Sequence, residues 1–277
     1  MTLKYFIKNM LLPPLILDLF HLLRSIPIAI YYSNDLRKNK EFKNVKSGKV
    51  YILGNGPSLK KVNFSALGDE DIITMNSFHL GRKNNNLNIV AHCFGEPVSS
   101  PAWMFDDFKD SMIKNYAESY WVHYSSLSYA KKLKINTQII VPGIGAGLWR
   151  SGKINLSSIS LSYASTAQLA IQVAMYLGYD EIVLLGFDHD WLSNSDHLAH
   201  FYSDKKDHTD KLSEEPYLTV LNMVKRLWHL YISISNSSSK SGIKITNGTR
   251  NSNLDVFPFE LKEELYLRDN VKKSVSD

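Results

Sequence analysis

Short, continuously apolar runs that alternate with helical stretches set what this chain can fold into. From Lys49 onward the candidate strands are Val50–Leu53, Asp71–Met75, Asn88–Phe94, Ser119–Tyr124, Gln138–Val141, Glu181–Phe187 and Ile243–Thr246. Several are apolar at successive positions, as strands covered on both faces must be. Between them lie two clear helices. In STAQLAIQVAMYLGYD, Ala170, Val173, Ala174 and Leu177 share one face and Gly178 supplies a stop. In SEEPYLTVLNMVKRLWHLYISIS, Tyr217, Val220, Leu221, Val224, Trp228 and Tyr231 keep helical spacing behind a Ser213 cap. This alternation predicts an α/β fold: a mostly parallel, doubly wound sheet over residues 47–277. SNSSSKSG, from Ser235 to Gly242, reads as a polar connection, and the charged tail after Leu261 as a peripheral helix.

The 277 residues suffice for such a core. The formal charge of +5 suits an anionic substrate or a membrane surface. No long Lys/Arg block or RNA-binding aromatic signature is present, so nucleic acid is not an expected partner. Cys93 is the single cysteine, which excludes an intrachain disulfide and a multi-cysteine zinc site and points to a reducing compartment. Residues 1–46 stand apart as a basic, apolar, helical segment. Pro13, Pro14, Asp18, His21 and Arg24 interrupt it too often for a membrane span. It fits either a helix packed on the domain or used in a homo-oligomer, or one lying in the membrane plane with Lys4, Lys8, Arg24, Arg37, Lys38 and Lys40 facing anionic lipid.

Ligands of doubly wound sheets bind beyond the carboxyl ends of the strands. The first such place is ILGNGPSLK. Gly54 and Gly56 permit close backbone approach, Asn55 and Ser58 add polar groups, and Pro57 opens a helical turn whose N–H groups face outward, a phosphate cradle. A plain strand–helix turn uses the same residues. After the second strand, Asn76 can meet a ribose or a phosphate oxygen. Ser165 and Thr166 stand at a helix start, as caps or as ligand contacts. EIVLLGFDHDW ends a buried strand in Asp188 and Asp190, a pair able to hold Mg²⁺ or Mn²⁺. His197, His200 and His208 follow closely, with Tyr202 among them, and one histidine is expected as a general base. Their spacing fits no HExxH zinc helix, and no nucleophile elbow is present.

Together YILGNGPSLK, MNSF, STAQLAIQVAMYLGYDEIVLLGFDHD and IKITNGTRNSNLDVF resemble the bacterial sialyltransferases of the lipooligosaccharide type. They also resemble the wider Rossmann-like group that includes motility-associated flagellin glycosyltransferases and archaeal hydroxymethylpterin pyrophosphokinases. The resemblance runs from about Lys49 to Leu261. It implies a GT-A-like variant of the fold and a CMP-activated nonulosonic acid donor. In that reading Asn55, Gly56 and Asn76 contact the nucleotide and its phosphate, Thr166 contacts the donor sugar, and His200, or next His208, is the base. GFDHD lacks the tyrosine those transferases carry after the strand-end Gly-X-Asp, which leaves the donor sugar open and keeps metal assistance as an alternative. Tyr202 is then the candidate for steadying the leaving phosphate, with no cofactor required. The implied acceptor is a lipopolysaccharide or capsule glycan, or a lipid-linked precursor, at the cytoplasmic face of the cell membrane. An ATP-dependent diphosphokinase using Mg²⁺ at Asp188 and Asp190, and a catalytically silent nucleotide-sugar-binding partner, are the rival classes.

Overall fold

The computed structural model describes residues 14–81, 87–149, 152–190 and 217–266. Eight strands form one sheet: β1 Lys49–Leu53, β2 Asp71–Met75, β3 Asn88–Phe94, β4 Tyr120–His123, β5 Gln138–Ile144, β6 Ile159–Leu161, β7 Glu181–Leu185 and β8 Lys244–Asn247. Their order is β6-β5-β4-β3-β2-β1-β7-β8, and every neighbouring pair is parallel. All seven expected strands are present. β6 is the addition, a three-residue edge strand centred on Ser160 and too short to stand out in the sequence.

The helices are α1 Pro14–Tyr31, α2 Ser33–Lys38, α3 Phe105–Lys114, α4 Leu127–Lys132, α5 Thr166–Leu177 and α6 Tyr217–Ser241. Side chains of β1 divide between the two faces of the sheet, as strand geometry requires. Val50 and Ile52 pack with α5 and α6, whereas Tyr51 and Leu53 pack with Leu59, Leu67 and Phe78. α5 is buried at every position but Ala167, and it stops at Gly178, whose φ of 107° suits glycine. The outer strands β3–β5 rest on a third cluster that includes Phe108 of α3, Leu127 of α4 and Leu36 of α2.

Two expectations are corrected. The stretch from Ser235 to Ser241 is not a connection but the last two turns of α6. Ser233 and Ser237 donate to the carbonyls of His229 and Ser233 four residues back, so the serines satisfy themselves within the helix. The turn opened by Pro57 is a 3-10 helix, Pro57–Lys61, rather than an α-helix. After Leu261 the described residues make a 3-10 turn, Glu263–Leu265, with Tyr266 buried beside Val62, and the rest of the expected peripheral helix, residues 267–277, lies outside the described residues.

Candidate functional site

The chain leaves β1 for β2 on one side of the sheet and returns on the other side with β7. That reversal of strand order opens a crevice at the carboxyl ends of β1 and β7, where doubly wound sheets take ligands. A cleft of about 150 Å³ occupies it. Its lining comes from the exits of β1 (Gly54, Asn55, Gly56, Pro57), β2 (Met75, Asn76) and β7 (Gly186, Phe187, Asp188, His189, Asp190), and from the start of α5 (Ser165, Thr166, Ala167). Thus nine of the residues singled out in the sequence, Gly54, Asn55, Gly56, Pro57, Asn76, Ser165, Thr166, Asp188 and Asp190, meet in one place. His200, Tyr202 and His208 lie outside the described residues.

The first loop does not work as the sequence suggested. The Gly54 N–H donates to Leu185 O at 2.7 Å and the Gly56 N–H to Gly186 O at 3.0 Å. The Ser58 N–H donates to Asp188 Oδ1 at 3.0 Å, and the Ser58 hydroxyl donates to Asp188 Oδ2 at 2.8 Å. The anion held by this turn is therefore the protein's own carboxylate, and of the expected cradle the Gly54, Gly56 and Ser58 amides are engaged within the protein. What the glycines provide is proximity. A Cβ on Gly56 would lie 1.9 Å from Asp188 Oδ2. Burial pushes the Asp188 pKa up to about 6, against the two Ser58 hydrogen bonds that lower it, and nearby Asp190 raises it further.

Unengaged donors lie instead at the start of α5. Ser165 occupies the N-cap position without a side-chain capping bond, and no acidic residue stands in the first turn. Gln168 reaches back to the Ala164 N–H at 2.8 Å, so the entry is braced. The N–H groups of the first turn, at Thr166 and Ala167, have no intrahelical partner by helix geometry and border the cleft. Such a terminus carries partial positive charge and favours an anion.

Opposite it stand two acceptors. Asn55 donates Nδ2 to Met75 O at 3.1 Å, and its Oδ1 is buried with no hydrogen-bond partner among the described residues. The Asn76 Oδ1 is likewise buried and has no partner among the described residues. Asn76 has a φ of 47°, a left-handed conformation that asparagine tolerates, and a buried network holds it there. The Ser111 hydroxyl donates to Asn76 O at 2.7 Å, so Ser111 Oγ must accept from His92 Nε2, also 2.7 Å away. His92 Nδ1 then accepts from the Thr74 hydroxyl at 2.8 Å. Burial lowers the His92 pKa to about 3. The ring is thus expected to stay neutral, with its proton on Nε2, from neutral pH down to about pH 4. Nitrogen-15 NMR of the imidazole checks this, and a ring titrating near 6.5 would contradict this chain of donors.

One cleft residue without an expected role is His189, which has a φ of 51° and bonds Tyr231 of α6 across 2.9 Å. Burial lowers its pKa to about 4. Its place directly after Asp188 was the available signal. The closing NGTRNSN stretch is a brace for the loop carrying Asp188. Thr249 Oγ1 accepts from the Phe187 N–H at 3.0 Å, the Ser252 hydroxyl donates to Phe187 O, and the Asn253 N–H donates to Asp188 O at 2.9 Å.

Among the described residues no group of three or more His, Cys, Asp or Glu side chains is arranged to hold a metal ion. Asp188 and Asp190 share the cleft, but Ser58 already engages both Asp188 oxygens.

No protein family matches the chain by its sequence profile, and no curated protein matches it. Among solved structures it is similar to the sialyltransferase CstII from Campylobacter jejuni in complex with cytidine-5'-monophosphate, at 18% identity and a TM-score of 0.43, over 80% of this chain and 87% of that one. The monofunctional alpha-2,3-sialyltransferase Cst-I from the same organism matches at 14% identity and a TM-score of 0.45, over 80% and 85%. A Maf glycosyltransferase from Magnetospirillum magneticum AMB-1 matches at 12% identity and a TM-score of 0.48, over 85% of this chain and 39% of that one.

Proposed function

We propose that the chain is a glycosyltransferase that binds a nucleotide-activated sugar in this cleft and passes the sugar to a hydroxyl of a glycan acceptor. The observation that carries the reading is the meeting of two buried oxygens, Asn55 Oδ1 and Asn76 Oδ1, which have no partner among the described residues, with a helix start that has no side-chain cap, at the sheet's switch point. A buried acceptor without a partner is costly, and a ligand N–H or O–H removes that cost. An anion suits the α5 terminus. A nucleotide sugar carries both kinds of group, and the cleft volume takes one moiety of it, with the remainder over the rim. The motif resemblance supports a CMP-activated nonulosonic acid as donor and a surface glycan or its lipid-linked precursor, met at the cytoplasmic face of the membrane, as acceptor.

In the transfer, the acceptor oxygen bonds to the anomeric carbon as the bond from that carbon to the phosphate oxygen breaks. The electron pair leaves with the nucleotide, whose charge the Thr166 and Ala167 amides stabilise. The acceptor proton passes to a histidine, for which His200 is the first choice and His208 the second, and the anomeric centre inverts. Metal-free transfer is part of the proposal, and loss of activity in EDTA would overturn that part.

A thermal-shift panel of CMP, UDP, GDP, ADP and their sugar conjugates tests the reading. CMP conjugates are expected to stabilise the fold by about 2.7 kcal/mol at a hundredfold excess over Kd. Asn76→Ala is expected to weaken that binding at least about tenfold. His200→Ala should leave binding intact and cost about 100-fold in rate. Stabilisation by ATP with Mg²⁺ alone would point to diphosphate transfer, and donor binding without turnover on any acceptor to a binding partner.

A further inference from the structure

The first described helix meets the sheet through polar side chains as well as through Ile28 and Ala29. The face of α1 that meets the sheet carries Asp18 and Ser25. Ser25 donates to Pro142 O at 2.9 Å, and Asp18 accepts from the Gly147 N–H at 2.8 Å. Both side chains lie where a Cβ would otherwise be: one on Gly143 would stand 2.5 Å from Ser25, and one on Gly145 1.9 Å from Asp18. The seat is therefore built for this helix in this orientation. Outward it presents Leu15, Leu19, Phe20, Leu23, Ile26 and Ile30, each at least 41% exposed and spaced along one stripe.

A soluble surface does not leave so long an apolar stripe uncovered. Arg24, exposed at the edge of the stripe beside Phe20, makes no ion pair among the described residues. Burying it against a second protein surface would strand a charge, whereas at a lipid surface its head reaches the phosphates while its stem stays apolar. Directly after α1 the chain bends by 82° and exposes Arg37, Lys38, Lys40 and Lys43. Among the described residues no single helix is long and apolar enough to cross a bilayer.

We propose that α1 is an interfacial membrane anchor: its stripe lies in the acyl–headgroup boundary of an anionic bilayer, and the basic cluster at its end pairs with anionic headgroups. The surface is read from α1 alone and stands whichever donor the cleft takes.

The test is flotation of the full chain with vesicles of equimolar phosphatidylglycerol and phosphatidylcholine, and with phosphatidylcholine alone. The chain is expected to float with the anionic vesicles, less in high salt, and weakly with the neutral ones. Phe20→Glu with Leu23→Glu should lower partitioning at least about tenfold, with an unchanged urea midpoint because both side chains point outward. Leu19→Glu with Ile26→Glu, on the same stripe, should repeat the result should the first pair disturb folding. Absence of flotation, or flotation unchanged in both double variants, overturns the proposal. So does a solution dimer that both double variants dissociate, which would assign the stripe to a second copy of the chain.

Discussion

Gly54→Ala is expected to destabilise the protein by about 3 kcal/mol or more, the largest single-methyl effect at this site. The added Cβ would sit 2.3 Å from Gly186 O and 2.8 Å from Gly186 C. Both contacts are with backbone, so no side chain can swing aside. Neither strand can retreat: β1 and β7 are paired along all five residues of each, and the Gly54 N–H bonds Leu185 O at 2.7 Å. Gly186 itself holds a φ of 74° to bring its carbonyl there. Urea unfolding measures the loss. Gly152→Ala, where a Cβ would meet nothing within 4 Å, is the control and should stay within about 0.5 kcal/mol of the parent. Equal effects at the two positions would mean that the strand exits are not in contact.

Asp188→Asn should act in the opposite direction, raising stability at pH 7.5 by about 2 kcal/mol while weakening ligand binding. Asp188 is a buried acid whose pKa rises from 3.8 to about 6 on folding. The folded state therefore holds the proton more tightly than the unfolded state. The stabilisation this gives is complete below pH 3.8 and is lost as pH rises through about 6. At pH 7.5 the parent bears the full cost of an ionised buried carboxylate, on the order of 3 kcal/mol for a shift of this size. Asparagine removes that cost and can still accept from the Ser58 N–H. Buried His92, His123 and His189, with lowered pKa values, push the other way, since their stabilisation is lost as pH falls below 6.5. The informative quantity is thus variant minus parent, measured by urea unfolding at several pH values. It should be largest above pH 6 and vanish near pH 4. If the proposed donor site is right, this carboxylate is kept for binding, and donor affinity is then expected to fall about tenfold in the variant. A variant no more stable than the parent at pH 7.5 would show that the Ser58 hydrogen bonds outweigh burial.

The strands were legible because each is an apolar run with two covered faces, and the rim residues were legible because they follow those runs. What stayed hidden depends on distant contacts. Nothing near Ser58 announces that its amide is taken by Asp188, 130 residues on. The first loop therefore reads as an anion site in the sequence, whereas its Gly54, Gly56 and Ser58 amides are engaged and helix geometry leaves the Thr166 and Ala167 amides, residues that capping alone would also explain, without an intrahelical partner at the cleft. The serines ending α6 misled because serine favours turns in isolation. Here Ser237 also accepts from Trp149 Nε1 at 2.7 Å, a tertiary tie that rewards the helix. Ile159–Leu161 is shorter than any window over which alternation can be counted.

The adjacency of the first strand and the seventh governs how the molecule assembles. Lys49 pairs with Glu181, so a strand completed early in synthesis waits for well over a hundred further residues before its second edge is covered. Pairings of such long sequence separation are closed late and slowly, on the millisecond-to-second scale typical of non-local topologies. A nascent chain released before Leu185 would expose an apolar strand edge to its neighbours, and its expected fate is aggregation.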